Sequence, residues 1–176
     1  MIRDAAAADF PAILAVINDA AEAYRGIIPA DRWHEPYMGE SELARQLAAG
    51  VRFRCFVEDS TVVGVMGIQD RGEVQLIRHA YVRTEHRSRG IGALLLADLI
   101  AGTDKPILIG TWQAATWAIR FYQKHGFRLV SDEEKTPLLK KFWVIPERQI
   151  ETSVVLADRR YRPELAQQEG GPPPRE

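Results

Sequence analysis

The chain has 176 residues, 46% of them hydrophobic and 27% charged, with 23 lysines and arginines against 24 aspartates and glutamates. That length suits one domain with its own core, and a net charge of −1 argues against a protein built to coat nucleic acid, which is usually strongly basic. A lone cysteine, Cys55, excludes an internal disulfide framework or a cysteine-based zinc cluster.

No run reaches the ~18 uninterrupted apolar residues of a membrane span. The start, Met1-Ile2-Arg3-Asp4, has no secretory pattern. The expectation is a cytoplasmic protein with no metal and with neither nucleic acid nor membrane as partner.

Asp9-Phe10-Pro11 opens the first element: aspartate is a good N-cap, and proline is tolerated in a first helical turn. Ile13, Ile17, Ala20, Ala21 and Tyr24 follow at helical spacing, and Gly26 ends the pattern. Residues 27–40 read as an irregular loop rich in aromatic and titratable groups. Ser41 is expected to cap a short second helix with Leu43 and Leu47 facing the core, stopped by Gly50. At Val51 the period changes. Val51, Phe53, Cys55 and Val57 alternate with polar or exposed positions, which marks a strand, and Cys55 reads as a small buried hydrophobe. Asp59-Ser60 turns into a second strand, Thr61 to Ile68, and Asp70-Arg71-Gly72 into a third, Val74 to Val82.

After a polar loop, Gly90-Ile91-Gly92 opens a helix carrying Leu94, Leu95, Leu99 and Ile100, with Gly102 past its end. Ile107-Leu108-Ile109 reads as a strand buried on both faces. Ala114 to His125 reads as a helix, Phe127 to Val130 as a strand, residues 131–141 as a charged, solvated loop, and Thr152 to Leu156 as the last strand. Residues 1–157 form the expected domain, and 158–176, ending in Gly170-Gly171-Pro172-Pro173-Pro174, an expected disordered tail. The order implies an α/β (α+β) fold, a mixed, mostly antiparallel sheet of about six to seven strands flanked by helices.

The sharpest chemical signal is Arg87-Ser88-Arg89-Gly90-Ile91-Gly92, between a strand and a helix. A helix N-terminus presents unpaired N–H groups and about half a positive charge, and glycines let a phosphate approach the backbone. Arg83, His86, Arg87 and Arg89 add cations, so diphosphate binding is the natural reading. A P-loop is excluded because no Lys-Ser/Thr follows these glycines. A dinucleotide fingerprint is excluded because Leu95 stands at its third glycine and no acidic residue lies near Gly110-Thr111-Trp112.

The motif Arg87-x-x-Gly90-x-Gly92, followed by Ala118-Ile119-Arg120-Phe121-Tyr122-Gln123-Lys124-His125-Gly126-Phe127, resembles the GNAT superfamily of N-acetyltransferases, as does the element order over roughly residues 1–157. The resemblance implies acetyl-CoA as acyl-donor cosubstrate and an amine acceptor attacking it directly in a ternary complex. It further implies that the backbone of Ala80, Tyr81 and Val82 lines a wedge for the pantetheine arm, with the Val82 N–H donating to the thioester carbonyl, and that the amides of Arg87 to Gly92 hold the diphosphate. Tyr122 corresponds to the tyrosine that protonates the departing thiolate, although aromatic residues at this spacing also suit a core. Where the family often has an asparagine, this chain has Ala115, with Thr116 as the nearest hydroxyl.

The general base stays open. Many members use a glutamate on the third meander strand, where Leu76 stands here, and Glu73, His79 and His34 are the candidates nearby. Trp33, His34, Glu35 and Tyr37 in loop 27–40, with Trp112 and Trp143, are expected to shape the acceptor pocket. The alternative is a non-catalytic acyl-CoA-binding sensor or interaction module. By analogy with the family, the last strand leaves a homodimer open.

Overall fold

The computed structural model describes residues 1–163. Its elements are β1 (Ile2–Asp4), α1 (Phe10–Ala21), α2 (Glu40–Ala48), β2 (Arg52–Glu58), β3 (Thr61–Asp70), β4 (Gln75–Val82), α3 (Ile91–Ala101), β5 (Ile107–Trp112), α4 (Thr116–Lys124), β6 (Arg128–Leu129), α5 (Asp132–Phe142), α6 (Glu147–Glu151) and β7 (Ser153–Ala157). One seven-stranded sheet has the order β1-β2-β3-β4-β5-β7-β6, and only β4 and β5 run parallel. The expected mixed sheet with flanking helices is therefore the observed fold.

Alternation along the strands sorts the core onto two faces. Val63, Met66, Ile77, Ile107, Ile109, Val154 and Leu156 face α3 and α4. On the other face Val62, Val65, Phe53 and Cys55 meet α1 and α2, while Leu76, Leu108, Val155 and Ala157 meet α5. Asp59 and Ser60 both take positive φ, 46° and 64°, as a two-residue hairpin turn with the twist of its strands requires. Cys55 is fully buried, which pushes its thiol up to about 11.

Several expectations are corrected. Asp9 precedes α1 but does not cap it. Its carboxylate turns back to the Ala6 N–H (2.7 Å) and to Arg3 (2.6 and 2.9 Å), and those contacts, Arg3 first, hold it down to about 2. The short β1 ahead of it pairs with β2 through Ile2, Arg3 and Asp4, too few residues to show a period. α2 begins at Glu40 with Gly39 as N-cap, not Ser41, and Leu47 is exposed while Leu43 is buried.

Residues 131–141 are not a solvated loop. Ser131 and Glu134 form a capping box that starts α5, and Leu138, Leu139 and Phe142 pack into the core while Lys140 and Lys141 face out. The last strand is not a free surface: β7 lies between β5 and β6 with all five residues buried. The packed chain also runs past 157. The Asp158 N–H donates to the Ile107 carbonyl (3.0 Å), and Tyr161 is buried beneath α5. The remainder of the expected tail, 164–176, lies outside the described residues.

Candidate active site

The site begins where the sheet comes apart. β4 and β5 pair at only three positions, Gln75 with Ile107, Leu76 with Leu108 and Ile77 with Ile109. Beyond them β5 follows β7, pairing Gly110, Thr111 and Trp112 with Val155, Val154 and Ser153. On its other side β4 stays with β3 but carries a bulge. Gly67 faces Arg78 and Val65 faces Tyr81, so His79 and Ala80 share one partner position, and His79 takes a φ of 54°.

The bulge inverts the direction of the amides. Before it, the Gln75 N–H donates to Pro106 on the β5 side (2.9 Å), whereas after it the Arg83 N–H donates to Val63 on the β3 side (2.8 Å). Alternation along the strand then aims the Ala80 and Val82 N–H groups into the gap. The result is a slot between β4 and β5 with the Ala80 and Val82 amides directed toward it.

At the mouth of the slot the chain makes a single 3-10 turn, Thr84–His86, and then enters α3. Ser88 and Gly90 have φ values of 61° and 77°, the local reversals that turn successive N–H groups toward one concavity. A Cβ on Gly90 would meet nothing within 4 Å, so glycine serves the backbone conformation there rather than packing. The first bond within α3 runs from the Leu94 N–H to the Gly90 carbonyl (3.0 Å), which leaves the amides of the first turn without helical acceptors.

The side-chain cations are less available than the sequence suggests. Arg89 makes a two-point pair with Glu58 (2.7 and 3.0 Å), and His86 lies 3.4 Å from the same carboxylate. Arg87 donates to the Ala20 carbonyl (2.9 Å) and still lines the cavity. Attraction for an anion therefore comes chiefly from the backbone, with Arg87 beside it.

The slot opens into a cavity of about 690 Å³. Tyr122 reaches it from α4, its ring edge-on to Phe121 (5.1 Å) and Phe127 (5.9 Å). Burial, with a lesser contribution from Tyr24, pushes its phenol above the ordinary tyrosine range, so it is protonated at neutral pH. Across the slot, Tyr24 stacks on Tyr37 (6.0 Å) and meets Tyr81 edge-on (6.2 Å). Burial raises Tyr24 to about 12 and Tyr81 well above its usual value. Trp112 donates from Nε1 to the Tyr37 hydroxyl (3.4 Å), and Trp143 lies so close over Gly110 that a Cβ there would meet its ring at 3.2 Å.

The structure thus brings His79, Ala80, Tyr81, Val82, Arg87, Ser88, Gly90, Ile91, Gly92, Tyr122, Tyr37, Trp112 and Trp143 around one cavity. Six expected residues lie elsewhere, among them Glu35, which is exposed and pairs with Arg25 (2.8 Å). Glu73 is exposed and pairs with Lys141 (3.0 and 3.3 Å) on α5. Arg89 is drawn off by Glu58, and Thr116 is exposed at the start of α4, where the helix axis carries its hydroxyl outside the cavity.

Trp33 packs one layer back, 5.6 Å from Tyr37 and under the Arg25 guanidinium (4.6 Å), and His34 is exposed. Leu76, where a base could have stood, is fully buried under α5. Among the lining residues that sequence reading passed over are Tyr24 and Arg78. Tyr24 closes a helical apolar pattern and looks like core, and Arg78, on the face of Leu76 by simple alternation, looks like an ordinary polar strand position. Among the described residues, no aspartate or glutamate lines it.

Residues 51–129, which span β2 to β6 and hold the bulge, the slot and the glycine turn, match the family model of the acetyltransferase (GNAT) domain. Solved structures agree with this chain in fold. The PaiA N-acetyltransferase of Thermoplasma acidophilum, in complex with coenzyme A, aligns at TM-score 0.68 and 18% identity, over 92% of this chain and 98% of that one.

The ribosomal-protein-S18-alanine N-acetyltransferase of Escherichia coli aligns at 0.64 and 13%, over 90% and 92%. A GNAT family acetyltransferase of Elizabethkingia anophelis with acetyl-CoA bound aligns at 0.58 and 21%, over 90% and 96%. At such identities the likeness concerns the fold. No curated protein matches the sequence closely enough to count as a relative. No helix among the described residues is long and apolar enough to cross a membrane.

Proposed function

We propose that this chain is a GNAT acetyltransferase, transferring an acetyl group from acetyl-CoA to an amine directly and within a ternary complex. The observation that carries this reading is the slot between β4 and β5, whose donors on Ala80 and Val82 lie beside the free amides at the start of α3. In this reading the amides of Arg87 to Gly92 hold the diphosphate, and the pantetheine arm lies along Ala80 to Val82. The Val82 N–H donates to the thioester oxygen as it gains charge, an effect worth about 3–4 kcal/mol at comparable sites.

The neutral amine adds to the thioester carbon, a C–N bond forms and the C–S bond breaks. The sulfur takes a proton from Tyr122, which burial keeps protonated, while the amine nitrogen releases one to water, from which the Tyr122 phenolate is reprotonated. The products are an N-acetylated acceptor and coenzyme A.

A second reading, a non-catalytic acyl-CoA sensor, has one observation in its favour: among the described residues, no carboxylate lines the cavity to take the amine's proton. Calorimetric titration with acetyl-CoA, with ATP and NAD as controls, tests the shared premise. Selective binding that Gly90→Glu abolishes supports it. Unselective or absent binding by folded protein refutes it. Thiol release on adding amines then separates enzyme from sensor.

A further inference from the structure

The acceptor side of the cavity has a charge pattern that the transfer reading leaves unexplained. The bulge places two consecutive side chains, Arg78 and His79, on the same face, toward α1 and α2. Arg78 is largely withdrawn from water, and its hydrogen bonds go to neutral oxygens, Gln69 Oε1 (3.0 Å) and Gln46 Oε1 (3.2 Å). A guanidinium has five N–H donors, so these two amides leave donors to spare. Glu42 acts on it only through space, and Arg71 opposes it; none of its nitrogens lies within ion-pair distance of a carboxylate among the described residues.

Beside it, His79 lies over Phe53 (6.2 Å), with Nε2 shut off from water and without a hydrogen-bond partner. A withdrawn cation without a counter-ion is costly, and so is an orphaned buried nitrogen. Both costs fall at a cavity with no acidic lining residue among the described residues.

We infer that the acceptor carries a carboxylate beside its amine, as an amino acid does, and that Arg78 and His79 receive that carboxylate. This rests on the acetyl-transfer reading and names the substrate class of the same site. The carboxylate supplies the counter-ion that Arg78 lacks, and the His79 imidazole donates to it from the nitrogen now without a partner. Tyr37, Trp112 and Trp143 then flank the body of the acceptor. Along β4, Arg78 and the Ala80–Val82 edge are two to four residues apart, roughly 7–13 Å of strand. A short amino acid and its hydrogen bonds at either end fill that span. A polyamine finds no carboxylate to meet it.

The test is thiol release from acetyl-CoA by the full chain, with each of the common amino acids against its amide. Calorimetric acetyl-CoA titration of the same protein runs alongside. The expected result is that the best amino acid exceeds its amide at least tenfold in kcat/KM. Arg78→Gln removes that preference through KM, leaves acetyl-CoA affinity unchanged, and Arg78→Lys restores part of it. Amides or simple amines that match the acids overturn the inference, as does a protein that binds acetyl-CoA but turns over no carboxylate-bearing amine.

Failure to bind acetyl-CoA overturns the transfer reading instead. Should Arg78→Gln not fold, the His79 imidazole is titrated by NMR in the wild type with and without the best amino acid. From its unliganded position, pushed down to about 3 by burial and then by Arg78, it moves up by at least one pH unit if a carboxylate docks there. No movement overturns the assignment.

Discussion

Gly67 sits on β3 opposite Arg78, where the bulge begins, and Gly67→Ala tests whether the slot depends on that close approach. A Cβ on Gly67 would stand 2.7 Å from the Arg78 carbonyl oxygen, 2.9 Å from Val51 Cγ1 and 3.3 Å from Phe53 Cε1. The nearest contact is backbone and cannot rotate aside, so β3 and β4 must separate by several tenths of an ångström at the bulge.

Overpacking of this kind costs roughly 1–3 kcal/mol, and a backbone contact belongs at the upper end. Alanine regains about 0.5–1 kcal/mol because it restricts the unfolded chain. The net expectation is a loss of about 2 kcal/mol, or roughly 4–8 °C in Tm for a chain of this size.

Gly64→Ala is the internal comparison. Its Cβ would meet Ile91 Cγ2 at 2.8 Å and Leu95 Cδ1 at 3.3 Å, ends of side chains that can give way, so its loss should be smaller. Urea denaturation of the wild type and both variants measures the order. Because the displaced segment leads into Ala80 and Val82, Gly67→Ala should also weaken acetyl-CoA binding. Wild-type stability in Gly67→Ala, or a larger loss in Gly64→Ala, would refute the reasoning.

Tyr122→Phe should lower kcat by about 10²–10⁴-fold, the usual weight of a positioned general acid, with acetyl-CoA affinity nearly unchanged; steady-state kinetics and calorimetry check both. Leu139→Ala, at a site only 1% exposed, should cost about 2–5 kcal/mol in denaturant unfolding, whereas Lys140→Ala should be nearly neutral.

Asp9 is held to about 2 in the folded chain, below its ordinary value of about 3.9. Its stabilising contribution is therefore present above about pH 4 and is lost as the pH falls through about 2. The Tm gap between wild type and Asp9→Asn should be full at pH 6 and shrink on acidification. The Cys55 thiol, raised to about 11 by burial, should resist alkylation at pH 7.5 and react once denaturant opens the core; labelling followed by mass spectrometry decides.

The meander, the glycine turn and the buried run Ile107 to Ile109 were legible because each depends on local pattern: period-two alternation, a turn dipeptide, an apolar stretch between breakers. α5 was obscured by its own surface. Its lysines, glutamates and Pro137 dominate the composition, while the Ser131–Glu134 capping box and the spacing of Leu138, Leu139 and Phe142 carry the true signal. The loop's cations looked equivalent along the chain, yet Glu58, from the β2–β3 hairpin, engages Arg89 and not Arg87. Such long-range pairings leave no local trace. His79 shows the same limit, since a one-residue bulge brings it to the face that Arg78 already occupies.

The sheet's asymmetry also bears on how the chain is made. β5 holds β4 at three positions but β7 at five, and β7 is the last strand, 40 residues after β5 emerges from the ribosome. β2, β3 and β4 can zip together as successive hairpins, with short loops to close. Ile107, Leu108 and Ile109 must wait, apolar and with one edge bare, for Ser153 to Ala157 to arrive. A chain cut after Glu151 would keep the glycine turn and Tyr122 yet leave β5 half seated, as a template for aggregation. The last strand acts as a latch, and nascent chains are most vulnerable just before it closes.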